Sequence, residues 1–404
     1  VHTNNQFFVK GKFLLAFGFL AVFMGNFGQS FFLGTYGASI QQSLELSASR
    51  YGLVYSVATL LAGTSLMLVG GYIDRWPLMR FTSFVAFGLM FGCLLFVISD
   101  NIWWLGCAFF MVRLCGQGLL PHTGVTTMAR CFSGHRGKAI SVAASGVPVG
   151  EILLPLAATL LISYWGWQNS WIVIVIFIAI VFLPLSYFLL SSAKRRGYEF
   201  SPVVRDASEQ AEDQGRGAVL SDGRFWRVLP AVIAAPFVVT GIFIHQSFFL
   251  FEKQWSMDVF AASFVVYGVV HWLASLVAGL LVDRYSAARL LPFYNLPLLL
   301  AMLAVAFLEG PVVAGVMLAL LGMSIGCSGP ITGALWAEVY GTGRLGSIRS
   351  MTSSFGVWST SLSPLLFGVL IDNHMSAVTL AVILAVAVSG ACVLAAFSYP
   401  VKKV

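Results

Sequence analysis

Twelve apolar runs, each long enough to cross a lipid bilayer, fill most of this 404-residue chain. About 20 apolar residues at 1.5 Å rise each span the hydrocarbon core. Runs of that kind occur at Phe13–Gly37, Tyr51–Tyr72, Phe81–Ile98, Trp103–Ala129, Gly137–Ile162, Trp171–Leu190, Val228–Phe251, Val259–Val282, Leu290–Leu308, Pro311–Trp336, Gly346–Ile371 and Ala377–Tyr399. The ninth is the least regular, because Pro292 and Pro297 interrupt its start. Short polar loops join most of them, so neighbouring spans must run antiparallel. Charged residues are only 10% of the chain, against roughly 25% in a soluble domain. A surface so poor in charge is stable only where lipid is the solvent. The expected fold is therefore all-α and membrane-embedded, with twelve transmembrane helices. The first run is too long for a secretory signal and no small-residue cleavage site follows it, so it reads as a retained span.

The basic residues give the expected orientation. Of 23 Lys and Arg, 20 fall on one side if the N-terminus lies there; Arg50 and Lys253 are opposite and Arg113 is inside a span. The positive-inside bias then places both termini in the cytoplasm, in a bacterial-type inner membrane. It also accounts for the formal charge of +7 without nucleic acid, since basic loops face anionic headgroups. The six cysteines form no CxxC or CxxH group, so no metal site is indicated and no cofactor is expected.

One loop is long. Residues 191–224 are polar and mix acids with bases, and they read as a cytoplasmic linker between bundles at 1–190 and 225–404. The halves repeat. At a shift of 209 residues, Asp74-Arg75 with Arg80 falls on Asp283-Arg284 with Arg289, and Pro121-His122-Thr123-Gly124 falls on Pro330-Ile331-Thr332-Gly333. Gly70, Gly137, Ser141 and Pro155 fall on Gly279, Gly346, Ser350 and Pro364. The pentapeptide Gln-Ser-Phe-Phe-Leu occurs at 29–33 and again at 246–250. Two similar six-helix halves are the architecture of many secondary transporters, which rock about a site near the bilayer midplane. The chain is expected to act as a monomer on a small-molecule substrate and protons.

The run Gly70-Gly71-Tyr72-Ile73-Asp74-Arg75-Trp76-Pro77-Leu78-Met79-Arg80 resembles the loop signature between helices 2 and 3 of the major facilitator superfamily. Gly279-Leu280-Leu281-Val282-Asp283-Arg284 resembles its second-half copy, and Arg113-Leu114-Cys115-Gly116-Gln117-Gly118 the fourth-helix signature. Arg136-Gly137-Lys138-Ala139, with Gly146 and Gly150, is similar to the oxalate/formate and monocarboxylate branch. That branch commonly carries a basic residue on helix 8, where this chain has only His271. The run Gly146-Val147-Pro148-Val149-Gly150 is also similar to the antiporter signature, which leaves export by antiport open.

The resemblance implies a gate at Asp74, Arg75, Arg80, Asp283, Arg284 and Arg289. Asp74 and Asp283 end their helices, where a carboxylate opposes the helix dipole and needs a neighbouring Arg or another helix N-terminus. The plainer reading is that Asp-Arg caps a tight turn. Arg113 and Glu151 each lie about eleven residues inside a span, near the midplane. Charged groups at that depth are rare and mark function by default. Arg113 would attract a polar or anionic solute and Glu151 would carry the coupling proton; a permanent ion pair orienting two helices is the alternative. Gln117 follows Arg113 by four residues and would share its face. Gln29 and the pair His245 and Gln246 stand at matching repeat positions and would donate hydrogen bonds to substrate, from helices that line the cavity in the resembled superfamily. His271 is a second titratable candidate.

Proton-coupled symport of a small organic solute, such as a monocarboxylate, is the leading expectation. Drug or metabolite efflux by antiport suits the aromatic, weakly charged interior. A solute receptor that moves nothing is a third possibility. No HExxH, nucleophile elbow or P-loop occurs, so neither an enzyme nor ATP-driven transport is expected.

Overall fold

The computed structural model describes residues 2–132, 135–198, 217, 219–341 and 345–399; for residues 2–10, 345–347 and 350 only the backbone is described. The centre of the expected linker, and Lys402 and Lys403, lie outside the described residues. Among those described, the regular structure is helical and contains no strand. Ten helical stretches are long and apolar enough to cross a membrane. One of them, Arg136–Arg195, contains Gly166 at φ 74° and ψ 166°, a conformation only glycine adopts without strain. It is two spans joined at a glycine turn, where the loop between the fifth and sixth runs was expected. The shorter apolar helix Leu296–Phe307 adds another, and twelve spans result. This is a multi-pass membrane protein.

Contacts divide the chain into two compact units, residues 1–46 with 57–205 and residues 47–56 with 206–404. The division cuts one helix. The first turns of α4 (Ala48–Val69) belong to the second unit and its remainder to the first.

In the first unit, span one is not one helix. α1 (His2–Met24) gives way to a 3-10 turn at Gly25–Gly28, Gln29 is extended, and α2 (Ser30–Thr35) and α3 (Gly37–Ser43) follow. α5 (Leu78–Val97) is span three. Span four starts as α6 (Ile102–Val112), widens into a π-helical turn at Arg113–Leu119, and ends as α7 (Leu120–Cys131). α8 (Arg136–Ala144), α9 (Gly146–Phe177) and α10 (Leu183–Arg195) complete the unit. Small residues bring the backbones together. A Cβ on Gly124 of α7 would lie 2.7 Å from the Gly18 carbonyl oxygen of α1. An aromatic cluster fills one end: Trp171 stacks on Phe96 at 4.3 Å between ring centres and meets Phe32 edge-on. Phe32, 1% exposed, is therefore a packing residue.

In the second unit, span seven is also broken. α11 (Gly223–Ile244) ends at His245, and α12 (Gln246–Glu252) restarts. α13 (Met257–Tyr285), the one-turn α14 (Ala287–Leu290), α15 (Leu296–Phe307), α16 (Val312–Tyr340), α17 (Leu345–Asp372) and α18 (Ala377–Ala396) follow. α13 and α16 pack through Gly322 and Gly326: a Cβ on Gly322 would lie 2.5 Å from the Tyr267 carbonyl oxygen, and one on Gly326 would overlap that of His271. α17 presents a serine ladder to α11, with Ser359 Oγ donating to the Ile233 carbonyl at 3.3 Å and Ser363 Oγ to that of Phe237 at 2.6 Å.

Candidate functional site

The first unit concentrates its polar interior where the irregular backbones of spans one and four meet. Gly25 and Gly28 present no side chain to span four, so the 3-10 turn lies flush on the π-helical turn. A Cβ on Gly28 would overlap both the Gln117 amide nitrogen and the Val112 carbonyl oxygen. This contact lets Arg113, only 4% exposed, donate from Nη1 to the Gly28 carbonyl at 3.1 Å. The helix break explains the acceptor: a carbonyl in a 3-10 turn followed by an extended residue has no helical partner of its own to satisfy. A π-helical turn widens the backbone locally, and such turns are frequent at functional sites.

Asn26, at the centre of the same 3-10 turn, is fully buried. Its Nδ2 donates to the Phe23 and Gly146 carbonyls, both at 2.9 Å, and Gly150 packs directly against its side chain. The next residue is Glu151, 4% exposed. One turn of backbone thus touches the segments that carry both buried charges. Sequence reasoning predicted Arg113 and Glu151 at one depth but missed Asn26, although a lone Asn between glycines in an apolar run is a visible signal. Gln29 and Gln117 are half-buried beside this turn.

In the second unit, His245 and Gln246 sit at the break of span seven, each 1% exposed. His245 Nε2 donates to the Pro364 carbonyl at 2.8 Å, and its ring meets Tyr51 edge-on at 6.1 Å. Gln246 Oε1 is buried without a hydrogen-bond partner among the described residues. Both Gln-Ser-Phe-Phe-Leu copies therefore start at a helix break, one in each unit. The polar residues of span four, Arg113 and Gln117, do not repeat in this way. At the 209-residue shift, Arg113 and Gln117 fall on Gly322 and Gly326, which are given over to close packing with α13. His271, half-buried on α13, lies on that glycine contact, with its ring edge-on to Tyr267 at 6.0 Å.

The expected gate residues lie at helix ends. Asp74 closes a 3-10 turn at Gly70–Asp74 and forms an ion pair with Arg130 of α7. Arg75 and Arg80 are exposed, and Arg75 lies over the Tyr72 ring at 5.8 Å. The second unit is built differently. Asp283, Arg284 and Arg289 are exposed. Glu338 of α16 accepts from the Ala287 amide at 2.8 Å and from the Ala288 amide at 3.2 Å. Asp283, Arg284, Glu338, Arg224 and Tyr399 border a cavity of about 590 Å³. Neither Arg130 nor Glu338 was singled out in the sequence, because neither belongs to the repeated signature.

Twelve spans in two units, with span one and span seven broken at matching repeat positions and span four widened around a buried arginine, define a polytopic transporter architecture. The family model described as Major Facilitator Superfamily matches residues 15–364, and the chain belongs to that superfamily. It is 21% identical over 365 residues, covering 87% of this chain and 83% of the relative, to a protein named multi-drug resistance efflux pump PmrA homolog from Lactococcus lactis subsp. lactis (strain IL1403). It is 24% identical over 336 residues, covering 80% and 77% respectively, to a protein named multidrug resistance protein MdtG from Serratia proteamaculans (strain 568). Among solved structures, a POT family transporter in complex with 5-aminolevulinic acid shares the fold at a TM-score of 0.75 and 12% identity, with 96% of each chain covered.

Proposed function

We propose that the protein is a proton-coupled secondary transporter that exports a small, apolar or weakly charged organic solute by alternating access. The observation that carries this reading is the buried turn at Gly25–Gly28, which contacts the segments bearing Arg113 and Glu151. A guanidinium whose Nη1 is already spent on a backbone carbonyl is suited to fixing the turn and to responding to a nearby charge. It is less suited to capturing a free carboxylate. Glu151 is then the proton carrier, with His271 as a second titratable group. The half-buried Gln29 and Gln117, and the break residues His245 and Gln246, supply hydrogen bonds to solute. The names of the two curated relatives support efflux as the direction. The basic loops support a bacterial-type inner membrane with both termini cytoplasmic. Asp74 with Arg130 and the loop at Asp283, Arg284 and Arg289 form the gate on that side.

Symport of a monocarboxylate is the second reading. It is favoured by Arg113, which lies about eleven residues inside its span, near the midplane, and by the run from Arg136 to Gly150.

Reconstituted protein tests both. Glu151→Gln should abolish uptake driven by an imposed pH gradient while sparing solute exchange, because a permanently neutral side chain cannot carry the proton. Gradient-driven uptake at the native rate would remove Glu151 from the coupling role. Counterflow of hydrophobic compounds supports export, and counterflow of short carboxylates supports symport.

A further inference from the structure

We propose that His122 is a proton-binding site distinct from Glu151 and His271: once protonated it ties α7 to the end of α4 beside Asp74, and transport slows as the cytoplasm turns acid. The proposal rests on the alternating-access reading and the orientation given above.

The π-helical turn puts His122 in place. His122 follows Arg113 by nine residues, which on a regular α-helix is about half a turn round, on the opposite side. The turn at Arg113–Leu119 lies between the two and widens the helix by about one residue, so α7 is rotated by about 100°. Gly118, His122, Thr126 and Arg130 form a row at four-residue spacing, and Leu66, Gly70 and Asp74 form the row opposite. The rows meet in order. A Cβ on Gly118 would lie 3.3 Å from the Leu66 side chain, and one on Gly70 would lie 3.7 Å from His122 Nε2. Arg130 then pairs with Asp74 and donates from Nη1 to the Ile73 carbonyl at 3.5 Å. His122 therefore stands in the same row as the ion pair of the proposed gate, two turns further into the span.

One ring nitrogen is engaged and the other is not. Nδ1 lies 3.5 Å from Thr126 Oγ1. Nε2 is buried and completes no hydrogen bond among the described residues, although the Gly70 backbone faces the ring. Gly70 stands where α4 passes into its 3-10 turn. Carbonyls at a helix C-terminus lack helical donors and favour a nearby cation. A proton on Nε2 supplies both the donor and the charge. The charged groups on the two elements that meet at the ring are Arg50 at the far end of α4, the paired Asp74 and Arg130, and the exposed Arg75 just beyond the turn. His122 as a whole is only half-buried, so protons reach it, and histidine is the side chain whose charge changes between about pH 5 and 8. With the ring neutral, α7 holds the turn through Arg130. With it protonated, α7 holds the turn at Gly70 as well, and the segment carrying Asp74 moves less readily.

The test uses full-length protein in nanodiscs and in proteoliposomes. With isotope-labelled histidine, the His122 resonance, identified by its loss in His122→Gln, should titrate between about pH 5 and 8. Deuterium exchange at the amides of residues 70–76, corrected for the intrinsic effect of pH, should slow by about twofold to fivefold as pH falls across that range, the effect of a cation at a helix C-terminus. In His122→Gln, or in His122→Asn where that variant folds better, the slowing should vanish. Exchange of ethidium across vesicles held at one pH on both sides should fall by a similar factor in the native protein and not in the variant. A His122 resonance that does not titrate, or amide slowing that persists in the variant, would overturn the proposal. If the amides respond as stated but ethidium exchange depends on pH equally in both proteins, the brake on transport falls while the transport reading stands. If the amides respond but the native protein moves neither ethidium nor short carboxylates under any gradient, the transport reading falls and the proton site stands.

Discussion

Gly28→Ala tests the central turn directly. A methyl group there overlaps two backbone atoms, the Gln117 nitrogen and the Val112 oxygen, and backbone cannot rotate away as a side chain can. The 3-10 turn must retreat from the π-helical turn by roughly 1 Å to restore ordinary contact. That retreat stretches the Arg113 to Gly28 hydrogen bond from 3.1 Å to about 4 Å, beyond useful range. Overpacking of this kind costs about 1–3 kcal/mol, and loss of a hydrogen bond to a charged group about 1.5–3 kcal/mol. The expected destabilisation is therefore roughly 2.5–6 kcal/mol, a large fraction of the about 5–15 kcal/mol that holds an ordinary protein folded. Unfolding in mixed micelles, followed by Trp fluorescence, measures it. A double-mutant cycle with Arg113→Met isolates the hydrogen bond. If the bond is lost in Gly28→Ala, the two substitutions together should cost less than their sum by about 1.5–3 kcal/mol. Strict additivity would show that the Arg113 contact survives the methyl group, and the role assigned to this turn would be wrong.

Other substitutions probe separate parts. Arg113→Lys keeps the charge but replaces the planar fork with a point charge, so solute exchange should fall by about tenfold or more while the protein remains folded; unchanged exchange would remove Arg113 from the mechanism. Arg130→Gln removes the partner of Asp74 and should alter transport while barely moving stability, since a partly exposed ion pair contributes only about 0–1 kcal/mol; Asp74→Asn in the same background should then have no further effect on transport rate. Gly322→Leu forces α13 and α16 apart, and its loss should exceed 2 kcal/mol in the same unfolding assay, as overpacking without room to relax predicts.

Much of the molecule was legible in the sequence, for reasons of scale. A span announces itself over about 20 residues through hydropathy alone, and lipid admits only helices there. The twelve spans and the repeat needed nothing else. The burial of Arg113 and Glu151 followed from their depth within those spans. Even the helix breaks left a trace, since each Gln-Ser-Phe-Phe-Leu copy begins at one. What hydropathy cannot register is where a span stops being a helix. The expected continuous run Phe13–Gly37 conceals a 3-10 turn and an extended Gln29 that an average over 20 residues smooths away.

The amino-acid order by itself determined that this chain lives in a membrane, how many times it crosses, that its halves are copies, and which charges are trapped at depth. The repeat is read by aligning the chain with itself; the rest follows from the free energy of moving one segment into lipid, which depends on that segment alone. Only the tertiary structure decided the partners: Gly28 for Arg113, Arg130 for Asp74, the amides of Ala48 and Ser49 for Asp372. Those pairings depend on how closely two backbones approach. For Arg113 and Asp372 that distance is set by glycines far apart in sequence from their partners, and no local pattern records it.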